Sequence, residues 1–183
     1  MVKKLVIALA VALTLHAVLP QLSSALDIDV FATIDGLRCN GSGGDPRFTD
    51  AIIVRSLSGG VSNTVPTQGG RPTPTPLKIA KDFDQCSPLL FRAGVMNQHF
   101  SRVTISFVRP DVNPLVFFEI ELTNATVQDL AMGANDALAQ TSEEVSFSYQ
   151  TIKLTDIVIG PDGKPSGQVS VICDFATVRC NVQ

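Results

Sequence analysis

Glu119 and Glu121 lie two residues apart in the segment Leu115 to Leu122, where apolar and polar residues alternate. Period-2 alternation marks a strand, so both carboxylates share its outward face while Phe118, Ile120 and Leu122 face in. Two carboxylates on one face are raw material for general acid–base chemistry. Nothing nearby in the sequence supplies a nucleophile or a partner histidine, so a solvated strand face is the simpler reading. His99 follows the one helical segment, where an imidazole complements the C-terminal end of the helix dipole. No Ser-His-Asp set assembles around it. Asp27, Asp29 and Asp35 share the polar face of an alternating segment, with carboxylates about 7 Å apart along the strand. A cation cage needs about six to eight converging oxygens, so this face too reads as solvated. The chain has no tryptophan, no histidine cluster and no Gly-rich phosphate loop between strand and helix, and its charged residues are only 17% of the total and scattered. The expectation is a protein that is not an enzyme, with no metal and no cofactor.

The cysteines are the other reactive groups. Cys39, Cys86, Cys173 and Cys180 contain no CxxC pair, which removes the usual zinc spacing. The chain opens with Lys3-Lys4, runs without charge from Leu5 to Leu19, and reaches Ser23-Ser24-Ala25. A basic region, an apolar region and a small-residue cleavage site read as a secretory signal peptide over residues 1–25. The apolar run of about 15 residues is short of the ~20 that span a bilayer. Residues 26–183 then form a single mature domain, exported to the periplasm or the cell exterior, with no membrane span. An even cysteine count behind an export signal predicts two disulfides, each worth about 2–4 kcal/mol. Three connectivities are open. A bridge from Cys39 to one of the C-terminal pair is preferred, because chain ends need tethering. Loss of Lys3 and Lys4 with the leader moves the formal net charge from −3 to −5. With no basic run, nucleic acid and anionic membrane surfaces are excluded as partners.

These residues sit on a chain that reads almost throughout as strand. Asp27 to Asp35 alternates and ends at Gly36. Ala51 to Leu57 is a second strand, apolar on both faces. Ser58 to Pro76 is rich in Gly, Pro, Ser and Thr and reads as a long loop, of the kind that is functional or disordered in a compact domain. Leu77 to Ala80 alternates again. Ser87 stands where an N-cap belongs and Pro88 at the first helical position, opening a helix over about 88–98 with an apolar stripe at Leu89, Ala93 and Met96. Ser101 to Arg109 returns to alternation, and the turn chemistry of Asp111-Val-Asn-Pro114 pairs it as a hairpin with Leu115 to Leu122. Ala131 to Thr141 reads as a second loop. In Glu144 to Ile159, Val145, Phe147 and Tyr149 have odd parity but Ile152 and Leu154 even parity, which predicts a β-bulge near Gln150–Thr151. Pro161 to Lys164 is a turn, and Gly167 to Asp174 a strand. The sequons at Asn40 and Asn124 read as chance. The fold expected is mainly β, a barrel or sandwich around one short helix.

The order of these segments resembles the Hcp (hemolysin-coregulated protein) family of type VI secretion. The resemblance rests on Phe31-Ala-Thr-Ile-Asp-Gly36, Pro76-Leu-Lys-Ile-Ala-Lys81, Ser87-Pro-Leu-Leu-Phe-Arg-Ala93, Phe118 to Asn124, Glu144 to Leu154, and Pro161-Asp-Gly-Lys-Pro-Ser-Gly167. It implies a compact two-sheet β-barrel with a flanking helix, self-assembly into hexameric rings that stack into a tube, and tube components or effector proteins as partners. It also implies that the long loop, with Ser58, Gly59, Gly60, Gly69, Gly70, Pro72, Pro74 and Pro76, is an arm reaching onto adjacent subunits. Family members lack an export signal, so the leader and the cysteines mark an exported relative. The alternative is a monomeric secreted β-barrel that binds a small ligand or a protein partner.

Overall fold

The computed structural model describes residues 28–39, 46–62, 72–110, 114–135 and 140–183; the leader expected over 1–25, Gly69, Gly70 and the Asn40 sequon lie outside them. Its strands are β1 (Asp29–Ile34), β2 (Ile52–Ile53), β3 (Ser56–Ser62), β4 (Thr73–Lys81), β5 (His99–Arg109), β6 (Leu115–Asn135), β7 (Gln140–Ser148), β8 (Thr151–Ile159), β9 (Pro165–Asp174) and β10 (Arg179–Val182). The helix α1 covers Ser87–Val95, and a single 3₁₀ turn covers Pro46–Phe48. Among the described residues the fold is mainly β with one short α-helix, as the sequence predicts.

All the strand pairs are antiparallel, and the main order is β10-β9-β8-β6-β5-β1-β2, with β7, β4 and β3 branching from β6. The hydrogen-bonded order is open, which corrects the expectation of a closed barrel. Its ends are β10, β2 and β3, and the last two are consecutive in the chain. Between them Val54 N donates to Val30 O at 2.8 Å and Arg55 N to Ala80 O at 2.7 Å, so the sheet wraps one core without a ladder between its last two strands. That core gathers Ile34, Ile52, Ile79, Leu90, Phe100, Val103, Ile105, Leu122, Val145 and Phe147. A smaller cluster of Phe31, Phe48, Ala51 and Val108 lies on the other face of β1, so that strand is buried on both sides.

In their described residues both expected loops are mostly strand. Ser56–Ser62 pairs with Thr73–Lys81, so Ser58, Gly59, Gly60, Pro74 and Pro76 sit in a hairpin and Pro72 immediately precedes it. Backbone ladders need no apolar side chain, which is why composition misled here. Pro74 and Pro76 share one parity, so their missing N–H groups fall on one side of β4, and β7 begins to pair only at Leu77. Ala131 to Thr141 likewise forms the outer part of the β6–β7 hairpin, paired as far as Asn135 with Gln140.

The parity change near Gln150 is real, but its cause is not an inserted residue. Thr126 pairs with Ser148 and Thr123 with Thr151, so β7 and β8 keep one register along β6 across this row, and the register shift of β6 against β7 lies farther on, between Val127 and Asp129. β6 changes phase at the same row, with Ile120 and Leu122 buried before it and Ala125 and Val127 after it. β5 does so too, between Phe100 and Val103. Three neighbouring strands turn the same corner together, and Asn124 takes a left-handed φ of 52° to do so. His99 Nδ1 meets Asn124 Oδ1 at 3.0 Å, and Asn124 Nδ2 donates to Gln150 Oε1 at 3.1 Å across this corner. His99 therefore opens β5 and bonds across the sheet, rather than complementing a helix end.

Candidate assembly surface and its buried anchor

Helix α1 carries the largest departure from the expected stripe. Leu90 and Ala93 are buried, whereas Leu89, Phe91, Val95 and Met96 are exposed, Val95 at 71%. Its N-cap is Cys86 and Ser87 is its first residue, without a side-chain cap. Ser87 is not free to cap because its hydroxyl is used elsewhere. Gly94 lets the helix lie close on β6: a Cβ there would stand 3.3 Å from Val127 Cγ1. Beside this contact is an open cleft of about 260 Å³ lined by Phe91, Gly94, Val95, Val127 and Leu130.

The helix start is fixed from below by a charged cluster that the sequence reading missed. Lys81 and Glu143 are a register pair of β4 and β7, and both side chains have no exposed surface. Lys81 Nζ donates to Glu143 Oε2 at 2.8 Å, to Ser87 Oγ at 3.0 Å and to Asp82 O at 2.8 Å, and it pairs with Asp84 Oδ1 at 2.8 Å. Ser87 Oγ in turn donates to Glu143 Oε2 at 2.6 Å. The signal was present in the parity. Lys81 continues the inward set Leu77, Ile79, and Glu143 precedes the inward set Val145, Phe147. A serine, a lysine and a carboxylate in contact resemble a nucleophile with its base. Here the ammonium is held by two carboxylates and so donates rather than accepts, and neither Lys81 nor Glu143 reaches solvent. The cluster anchors α1 to β4 and β7.

The residues singled out for chemistry do not converge. Glu119 accepts from Ser106 Oγ at 3.2 Å, and Glu121 pairs with Arg102 at 3.4 Å. Asp35 accepts from Ser101 Oγ at 3.1 Å. Among the described residues no group of three His, Cys, Asp or Glu side chains is placed to hold a metal. All four cysteines are bridged, but not as preferred: Cys39 joins Cys86, and Cys173 joins Cys180. The chain end is tethered to its own neighbouring strand, because β9 and β10 bring Cys173 opposite Cys180.

Two hairpins project from opposite ends of the sheet. The outer part of β3–β4 extends past the Leu77–Phe147 pair, and the outer part of β6–β7 extends past the Lys81–Glu143 pair. Tyr149 braces the first. Its hydroxyl donates to Thr75 O at 3.3 Å, and its ring meets Phe175 edge-on with centroids 5.8 Å apart. Burial raises the phenol above its ordinary value of 10.0. The neutral phenol is thus the folded form, so its contribution to stability is complete below pH 10 and is lost as pH rises through the raised value. Tyr149 is the only tyrosine and there is no tryptophan, so near-UV tyrosinate absorbance reports it alone. A midpoint above 10 in the folded protein, falling to about 10 on unfolding, is the expected titration. A midpoint of 10 in both states would mean the brace is open.

The structure compares closely with solved type VI secretion proteins. It matches Hcp1 from Salmonella typhimurium at 21% identity with a TM-score of 0.70, over 84% of this chain and 99% of that one. It matches a type six secretion system protein at 18% identity and 0.75, over 85% and 100%. A type VI secretion system effector from Yersinia pestis matches at 22% and 0.65, over 80% and 99%. No curated protein matches by sequence. The family model described as type VI secretion system effector, Hcp, matches residues 31–155, more than half the sequence, and the chain therefore belongs to the Hcp family.

Proposed function

We propose that residues 26–183 are an exported structural subunit that self-assembles into hexameric rings, with stacking of rings into a tube as the further step. Residues 1–25 act as a signal peptide, and the mature protein works in the periplasm or outside the cell. The observation that carries this reading is the pair of hairpins projecting from opposite ends of the sheet. A two-stranded extension is marginal alone, and head-to-tail contact with another copy supports both. Membership of the Hcp family, whose proteins are structural parts of the secretion tube, supports it further. The arm expected at Ser58 to Pro76 becomes, on this reading, the β3–β4 hairpin. Other tube components and effector proteins are the partners that fit such a ring. Two disulfides also fit an oxidising compartment.

Light scattering on the oxidised protein, separated by size, tests this. The expected particle has about six times the subunit mass at micromolar concentration, because stable interfaces survive dilution. A single subunit of ~17 kDa at that concentration would reject the ring. It would favour the second reading, a monomeric secreted β protein with a ligand or partner in the cleft between α1 and β6.

A further inference from the structure

The two bridges differ in what surrounds them. Cys39 and Cys86 are 1% and 0% exposed, whereas Cys180 is exposed and Cys173 half-buried. The outer bridge closes the β9–β10 hairpin across a close pair. Ser170 and Gln183 exchange both backbone bonds, at 3.0 and 2.8 Å, so alternation makes Cys173 and Cys180 a pair without mutual backbone bonds. Their Cα atoms are 4.1 Å apart.

Little else holds β10. Its four residues are all exposed and bury no apolar side chain. It joins β9 through Val178, a β-branched residue at a left-handed φ of 54°. That conformation is costly for valine and would relax if β10 left the sheet. The turn before it is better secured. Asp174 Oδ1 accepts from Ala176 N at 2.7 Å, and Phe175 N donates to Gln150 O at 3.0 Å. β9 itself is paired along its length with β8. On its outer side, among the described residues, β10 and Gln183 cover only 170–174, and no strand pairs with 165–169.

We propose that the Cys173–Cys180 bridge is a reducible clasp, whose opening releases β10 at Val178 and turns the whole of β9 into an open strand edge while Cys39–Cys86 stays closed. A dithiol reductant supplies two electrons and two protons: the S–S bond breaks, two S–H bonds form, and the reductant closes to its own disulfide. The inference does not depend on ring formation.

The test treats the folded, oxidised full chain with a mild dithiol, traps thiols with iodoacetamide and maps the peptides. Label is expected on Cys173 and Cys180 alone. Amide exchange in the trapped protein gives the second readout. Ser170, Ile172 and Asp174 direct their N–H groups to β10, and Val171 and Cys173 direct theirs to β8. The first three should exchange roughly tenfold faster or more, and the other two should stay protected. The double variant Cys173→Ser/Cys180→Ser should give the same pattern without alkyl groups. Parallel labelling of Cys39 or Cys86, resistance of the outer bridge in the folded protein, unchanged exchange at Ser170 and Ile172, or equal loss of protection at Val171 would each overturn the proposal.

Discussion

Glu143→Ala is expected to lower the stability of the fold by about 3–5 kcal/mol, because it leaves the Lys81 ammonium buried with half its charge partners removed. That is a large share of the roughly 5–15 kcal/mol available to a domain. The buried Lys81 charge is shared between Glu143 and the partly exposed Asp84, whose side chain is 28% exposed. Removing Glu143 leaves only the weaker, wetter partner, and it also takes the acceptor from Ser87 Oγ at the first turn of α1. Glu143→Gln keeps the shape and should cost less. The pair is not a net source of stability, since Glu143 Oε1 is buried without a hydrogen-bond partner among the described residues. An unmet buried acceptor costs about 1–3 kcal/mol. The double variant Lys81→Met/Glu143→Leu should therefore recover most of the loss. Denaturant midpoints at unchanged slope measure all three. If Glu143→Ala stays within about 0.5 kcal/mol of the parent, the cluster is not the buried anchor described.

Removing the inner bridge should cost nearly as much. Cys39 and Cys86 are 47 residues apart in sequence, and the loop they close contains β2, β3 and β4. The entropy of closing such a loop in the unfolded chain gives about 4 kcal/mol for its loss. The outer bridge closes a separation of 7, for which the same relation gives about 2.5 kcal/mol. Cys39→Ala/Cys86→Ala should thus be the more damaging pair, and it should act on α1 first, because Cys86 stands at its N-cap position, where its carbonyl accepts from Leu90 N at 2.8 Å. Unfolding of the two double variants side by side checks the order. Equal losses, or a larger loss from the outer pair, would show that the inner bridge does not constrain the unfolded chain as described.

Much of this fold was legible locally. The alternation in Ser101 to Arg109 and Leu115 to Leu122 placed the β5–β6 hairpin, and Ile120 and Leu122 are buried as their parity requires. The turn at Pro161 to Lys164 was legible too: Gly163 takes a left-handed φ of 75° and Gly160 N donates to Lys164 O at 2.8 Å. The helix was found, but of its expected stripe only Ala93 is buried: Leu89 and Met96 are exposed, and Leu90 faces in. A nine-residue helix has little periodicity to read, and Ser87 had been drawn into the cluster below it.

By itself the sequence determined the alternating strands, the helix, the turn at Pro161 to Lys164 and the family, because side-chain alternation and turn chemistry act over a few neighbouring residues; the turn expected at Asp111 to Pro114 lies mostly outside the described residues. Only the tertiary structure decided which cysteines meet, that Lys81 faces Glu143, that the Gly- and Pro-rich ends of β3 and β4 pair, and that β5, β6 and β7–β8 turn one corner together. Each of these depends on register between segments far apart in the chain. Register is set by packing the whole sheet around one core, so no short window of residues contains it.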